Sequence, residues 1–291
     1  MRLYRATDAS TFLDMAGDFL AKREAERNLP FSIARQCADD PGRYPGPNYF
    51  AAIEGHEGVE GVALMTPPYR LQVFVEPGPG IALVVNDLAG TEWPVPGVTG
   101  PEATARAFAA AWAVQRGARA EPRHRLRGFE LTRVTAVPLV PGAMRPAGSA
   151  DLPVVERWYR AFESEADRSP GERRAAELAA RALRAGRVFL WDDNGPVTQA
   201  AIVGITPRGV RIGMVYTPPE HRRRGYATAL VGVLSQRCLD DGRSFCSLFT
   251  DLANPVSNAI YPKVGYRPVT DLEEIDFPPA RSATHGRIDQ T

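Results

Sequence analysis

His221-Arg222-Arg223-Arg224-Gly225-Tyr226-Ala227-Thr228-Ala229-Leu230, HRRRGYATAL, sets three arginines and a glycine directly before an apolar run. The run continues through Val231, Leu234 and Cys238, so with Ala227 and Leu230 its apolar positions fall at i, i+3, i+4, i+7 and i+11. That is the spacing of a helix face packed on a sheet. Immediately upstream, Gly209 to Thr217 (GVRIGMVYT) reads as a strand, and Pro218-Pro219 ends it by removing ladder donors. A strand, a glycine-bearing loop and a helix start bring unpaired backbone N–H groups and the positive end of the helix dipole to one point. Such a point binds phosphate. Gly225 permits close approach of the backbone, and Ala227 carries no bulk to push a phosphate away.

Taken alone, the arginines read first as a solvated basic loop before an ordinary helix, and second as a nucleic-acid contact. The chain as a whole argues against the second, because its 291 residues carry a formal charge of only +1 and offer no general attraction to polyanions. Hydrophobic residues make up 44% and charged residues 24%, enough for ordinary cores, and the length suits two domains. Cys37, Cys238 and Cys246 have neither a paired count nor metal-ligand spacing, and the four histidines are scattered, so neither a disulfide framework nor a metal site is expected. No apolar run approaches the ~20 residues that cross a bilayer. The expectation is a protein of the reducing cytoplasm with no membrane or nucleic-acid partner.

Val137 to Pro153, rich in proline, glycine and small residues, reads as a domain junction. The two sides of it resemble one another at an offset of 140 residues over their first parts: Tyr4-Arg5-Ala6 is echoed by Met144-Arg145-Pro146-Ala147, and the hairpin turn Thr66-Pro67 by Thr206-Pro207. Late in each half, Arg127–Leu131 (RGFEL) resembles Val264–Pro268 (VGYRP). Repetition in the same order indicates a duplicated α/β unit, divided at 1–140 and 141–291. In the second half the predicted order is a strand at 143–146, helices at about 151–165 and 170–185, and strands at 187–191, 197–205 and 209–217. A helix at about 226–240, a strand at 244–250, a short helix near 255–261 and a strand after Gly265 follow. A meander feeding a strand–helix–strand unit implies a mixed sheet with helices on its faces.

At this point the sequence resembles the GCN5-related N-acetyltransferases (GNAT). Arg222-Arg223-Arg224-Gly225-Tyr226-Ala227 fits that family's R/Q-x-x-G-x-G/A signature, Val215-Tyr216-Thr217 stands where its cofactor strand ends, and Asn254–Val269 (NPVSNAIYPKVGYRPV) looks like its second motif. The resemblance covers about 142–277. It implies two tandem GNAT-like domains, each a mostly antiparallel mixed sheet flanked by helices, with a degenerate first copy. It also implies acetyl-CoA as cosubstrate, lying against 215–217 with its pyrophosphate on 222–228 (Arg222, Arg223, Arg224, Gly225, Tyr226, Ala227, Thr228), and Asn254, Asn258 and Tyr261 lining it. The first copy has Gly100-Pro101-Glu102 before a helix, an acidic start expected to repel a pyrophosphate, so no coenzyme is expected there.

Asn254-Pro255 is a helix start, asparagine at N-cap and proline at N1. Pro262 is expected to push Tyr261 out of helical geometry so that its hydroxyl projects from a frayed end. The resemblance places that hydroxyl near the coenzyme sulfur, a position from which it gives a proton to the departing thiolate, and it places oxyanion stabilisation at a backbone N–H near Val215 or Tyr216. Many family members carry a glutamate on the strand corresponding to 209–217, and this strand has none. Glu220 reads as a partner of the arginines, Asp251 as turn and cap chemistry or a cleft carboxylate, and Glu163 and Glu165 as solvated residues or substrate contacts; a water chain is the remaining base. Three functions stay open: acetyl transfer to a primary amine of a small molecule, acetylation of a protein lysine or N-terminus, and a non-catalytic acyl-CoA sensor. Either a monomer or a homodimer is compatible.

Overall fold

The computed structural model describes residues 1–44, 46–91, 93–135, 137–166 and 172–278. The chain divides into two units: one takes residues 1–16, 41–125 and those from Leu272 onward, the other 17–40 and 126–271. Positions 279–291 of the second expected half lie outside the described residues, as do the first two positions of the helix expected at 170–185.

In the second unit, β7 (Ala143–Pro146), β8 (Val188–Asp192), β9 (Pro196–Ile205) and β10 (Gly209–Tyr216) form an antiparallel meander. β10 then pairs in parallel with β11 (Phe245–Asp251), and β11 pairs antiparallel with residues 126–131 of β6 (Glu121–Leu131). Thus Arg127–Leu131, which the sequence reading makes the last strand of the first repeat, supplies the sixth strand of this unit. Helices α5 (Leu152–Glu165) and α6 (Glu172–Arg184) cover one sheet face around Trp158, Val155 and Leu190. α7 (Tyr226–Asp240) and α8 (Pro255–Val264) cover the other, packing Leu230, Leu234 and Tyr261 on Phe129, Ile212 and Leu248. The observed elements match the expected order, because periodic apolar stripes and Gly/Pro turns mark each of them.

The first unit repeats the pattern. β1 (Arg2–Arg5), β2 (Tyr49–Gly55), β3 (Gly58–Met65) and β4 (Leu71–Val75) form the antiparallel meander. β4 pairs in parallel with β5 (Gly97–Pro101), and β5 pairs antiparallel with residues 272–276 of β12 (Arg267–Asp276). α3 (Pro79–Ala89) and α4 (Glu102–Arg116) bury Val84, Leu88, Phe108 and Trp112 against Ile53, Val73 and Val98. Each unit is therefore a mixed, mostly antiparallel sheet with flanking helices, and each takes its sixth strand from the end of the other half of the chain.

Two local findings differ from the sequence reading. The Val137–Pro153 junction is not a free linker: Val137 lies against Gly232 of α7, Val140 against Gly225, and the Trp191 indole donates to the Pro141 carbonyl at 2.7 Å. In addition, α2 (Asn28–Asp39) lies over β9, Gln36 donating to the Val203 carbonyl at 3.0 Å. No helix among the described residues is long and apolar enough to cross a membrane.

The segment before α2 is held by Glu24, whose side chain is 1% exposed and pairs with the Arg208 guanidinium at 2.9 Å while accepting the Arg208 N–H at 2.8 Å. Burial alone pushes the Glu24 carboxyl up, but hydrogen bonds from Thr206 and Arg208 outweigh it and hold the group below the ordinary range. A depressed carboxyl contributes stability that is present above the unfolded-state pKa and is lost as pH falls through the folded one. Glu24→Gln is expected to lower stability at pH 7 by about 1–3 kcal/mol, read by urea denaturation, with the difference from wild type narrowing in acid. A deficit that persists unchanged in acid would contradict the ionised pair.

Candidate functional site

The loop from Thr217 to Gly225 joins β10 to α7. Pro219–His221 makes a single 3-10 turn, after which Arg223 (φ 63°) and Gly225 (φ 83°) both take the left-handed conformation. Gly225 is the N-cap of α7 and no side chain caps the helix; the first bond shown is from Ala229 N–H to the Gly225 carbonyl, 3.0 Å. The N–H groups of Gly225, Tyr226, Ala227 and Thr228 consequently have no partner within the helix and converge at the positive end of its dipole. A Cβ at Gly225 would lie 3.1 Å from Val140 Cγ1, so the glycine answers both to its φ and to a close neighbour.

The side chains around this turn are largely committed elsewhere. Arg222 is among the residues the resemblance sets on the pyrophosphate. Instead it donates to the Thr217 carbonyl at 2.8 Å and to both Glu165 oxygens at 2.7 and 2.9 Å, and lies over the Tyr216 ring. Glu165 is thus the partner that sequence reasoning assigned to Glu220; sequence separation hid it, since Glu165 ends α5, 57 residues upstream. Tyr226 turns inward, its ring buried and its hydroxyl 2.5 Å from Asp193 in the β8–β9 turn. Only its backbone faces the cradle. Arg223 and Arg224 are exposed.

Below the loop the strands separate. β10 and β11 pair only as Gly209–Phe245, Val210–Cys246 and Arg211–Ser247, while β11 continues along β6 as far as Asp251. On its other side β10 shifts register against β9 between Gly213–Ala201 and Tyr216–Gln199, so Met214 and Val215 face a single β9 position. Met214 has φ 51°. This is a β-bulge in a non-glycine residue, a conformation that costs about 1–2 kcal/mol and collects at functional sites. Val215 is half-buried beside the α7 core, Tyr216 is buried against Trp158 at 6.4 Å, and the Thr217 hydroxyl bonds Thr198 at 2.8 Å.

Asn254 caps α8 as expected, accepting the Ser257 N–H at 3.2 Å. Asn258, read from the resemblance as lining the coenzyme, has its amide engaged locally: it accepts from Thr250 at 2.6 Å and donates to the carbonyls of Asp251, Leu252 and Asn254. Asp251 accepts the Ala253 N–H at 2.8 Å, which is turn chemistry. Pro262 does not fray the helix, contrary to expectation: α8 runs through it to Val264, because Tyr261 and Val264 are both anchored in the core. The Tyr261 ring meets Tyr266 edge-on at 5.9 Å and Phe129 at 6.5 Å, and burial pushes its hydroxyl up to about 12. It therefore holds its proton throughout the neutral range.

The first unit has the same strands but neither feature. By topology the counterpart of the β10–α7 loop is Glu76–Gly78, between β4 and α3, rather than Gly100-Pro101-Glu102, which precedes the counterpart of α8. This loop is three residues long, and Pro79 at N1 or N2 of α3 removes a donor. Between β4 and β5, a Cβ on Gly100 would lie 2.3 Å from the Val73 carbonyl oxygen, and Thr104 donates to the Val75 carbonyl at 2.7 Å. The gap is closed.

Residues 195–274, which include the loop, α7, β11 and α8, match the family model described as FR47-like protein, a GNAT-related family. A comparison with curated proteins returned no match. Among solved structures, a GCN5-related N-acetyltransferase from Sphaerobacter thermophilus is 20% identical with a TM-score of 0.59, covering 94% of this chain and 95% of that one. A GNAT-family acetyltransferase from Colwellia psychrerythraea is 12% identical (TM-score 0.59; 96% and 100% covered). A tandem GNAT protein from the clavulanic acid biosynthesis pathway is 13% identical (TM-score 0.54; 96% and 99% covered). At these identities the likeness shows the fold, and the fold is that of GNAT proteins, a tandem one included.

If Gly225 is required by its left-handed backbone, Gly225→Ala should lower stability by about 1–2 kcal/mol, measured by urea denaturation. A midpoint equal to that of wild type would contradict the assigned backbone.

Proposed function

We propose that the second unit transfers an acetyl group from acetyl-CoA directly to a primary amine of a small molecule. The observation that carries this reading is the open gap between β10 and β11, leading to an uncapped helix N-terminus whose turn is built on left-handed Arg223 and Gly225. The amides of 225–228 suit a pyrophosphate, each charge-assisted bond contributing about 1.5–3 kcal/mol. The separated edge of β10 at the Met214 bulge suits the acyl arm, with an N–H at Val215 or Tyr216 to stabilise the oxyanion.

Tyr261, buried and protonated, gives its proton to the departing thiolate. Its raised pKa keeps the donor form filled across the neutral range. Asn254 and Asn258 act by shaping the β11–α8 turn from which Tyr261 is presented. The first unit, with its sealed strands and short proline-flanked loop, binds no coenzyme and serves as scaffold.

Calorimetric titration with acetyl-CoA and a thiol-release assay over a panel of small amines test this reading together. Gly225→Glu, which places bulk and negative charge at the cradle, is expected to abolish coenzyme binding; unchanged affinity would refute the cradle. Tyr261→Phe is expected to lower turnover by roughly 10- to 1,000-fold with little change in coenzyme affinity, and full activity would refute the acid role.

A further inference from the structure

The last parallel pair of the second unit, Arg211–Ser247, extends across β11 to Glu130 on β6, so Arg211, Ser247 and Glu130 form one row at the root of the gap. Because neighbours along a strand alternate faces, and Ile212, Leu248 and Phe129 point into the α7 core, this row points to the opposite face. The first unit has the equivalent row in the same register: Gln72, Thr99 and Glu274 across β4, β5 and β12. There all three side chains are buried, and Arg70 lies 3.5 Å from Glu274.

In the second unit the row has opened. Arg211, Glu130 and Phe249 are half-buried although they sit on inner strands, and Gly213 occupies the place that Phe74 fills in the first unit. Glu130 makes no hydrogen bond or ion pair among the described residues, and it is the only carboxylate in the row. Positions across a row are ~4.8 Å apart, so Glu130 stands one strand from the gap.

We infer that Glu130 is the group that holds the acceptor as an ammonium ion and takes its proton, selecting alkylamines that are cationic in neutral water. This rests on the acetyl-transfer reading above and supplies the carboxylate that β10 lacks. The step balances: the ammonium proton passes to the Glu130 carboxylate, the freed nitrogen lone pair forms the C–N bond at the thioester carbonyl, and as the C–S bond breaks the nitrogen gives its second proton to water. The thiolate takes the Tyr261 proton, Tyr261 recovers a proton from water, and Glu130 releases its own to solvent. The net products are amide, thiol and one proton. The charged surroundings suit the role. Burial raises the Glu130 carboxyl above its ordinary value, Glu26 before α2 adds to this, and Arg208, itself held by Glu24, opposes it. Arg211 on β10 stands in the same row, its guanidinium over the Phe249 ring at 5.8 Å from the ring centre.

The test uses the full chain with primary amines from ethylamine to hexylamine and benzylamine, and aniline as an uncharged comparator. For the best alkylamine, Glu130→Gln is expected to lower kcat/KM at pH 7 by at least about 100-fold and to remove the lower limb of its pH profile. Coenzyme affinity should stay near wild type, the loss should be smaller for aniline, which brings no ammonium proton, and Glu130→Asp should recover part of it. Separately, with coenzyme A bound, the carboxyl carbon resonance of Glu130 is expected to move on adding the same amines, and not on adding aniline. Coenzyme binding without thiol release from any amine would sink the acetyl-transfer reading while the resonance still reports on Glu130. An unmoved resonance, or a Glu130→Gln variant with the wild-type pH profile, would overturn the inference.

Discussion

The whole site depends on where β10 and β11 stop pairing. Three parallel pairs, ending at Arg211–Ser247, hold the strands together, and beyond them β11 continues on β6 while β10 bulges at Met214. A strand released on one edge exposes unpaired backbone groups that have to be satisfied by something else. The cost of left-handed Met214 is sustained by packing from the α5–α6 side, where Met214 and Tyr216 join the Trp158 cluster. That separation gives the fold a slot, and α7 begins at its mouth.

The two units make this constraint visible because they share strand order and pairing sense yet differ in outcome. In the first, Gly100 lets β5 close on Val73, and the Thr104 hydroxyl ties down the Val75 carbonyl. A buried polar row of Gln72, Thr99 and Glu274 then remains as packing. In the second, the corresponding strands diverge, the corresponding row is half-exposed, and a nine-residue stretch, 217–225, replaces the three residues 76–78 before the helix. The same topology carries a short proline-flanked loop in one unit and a nine-residue loop with two left-handed residues in the other. Loop length and a few side chains set the two apart.

Local signals carried much of this. The helix period after Gly225, the prolines that end β10 and the turn residues of the β8–β9 and β9–β10 hairpins are each written within a few positions, and the elements follow them. Long-range pairing is not written that way. Nothing local in Arg127–Leu131 says that this strand joins β11, so the sequence by itself places Glu130 in the first half, away from the strands of the site. The Met214 bulge has no glycine or asparagine to announce it, and the Arg222–Glu165, Tyr226–Asp193 and Asn258 contacts arise only when distant elements meet. Pro262 illustrates the same point in reverse, since core anchoring by Tyr261 and Val264 overrides a local helix breaker.

Backbone amide resonances followed during a coenzyme A titration of the full chain test the central claim most directly. The account predicts that the amides of Arg223–Thr228 and of Val215–Tyr216 shift together and saturably, while those of Gly78 and Gly80–Ile81 at the start of α3 do not move. Shifts confined to the first unit, or none at the α7 N-terminus, would contradict it.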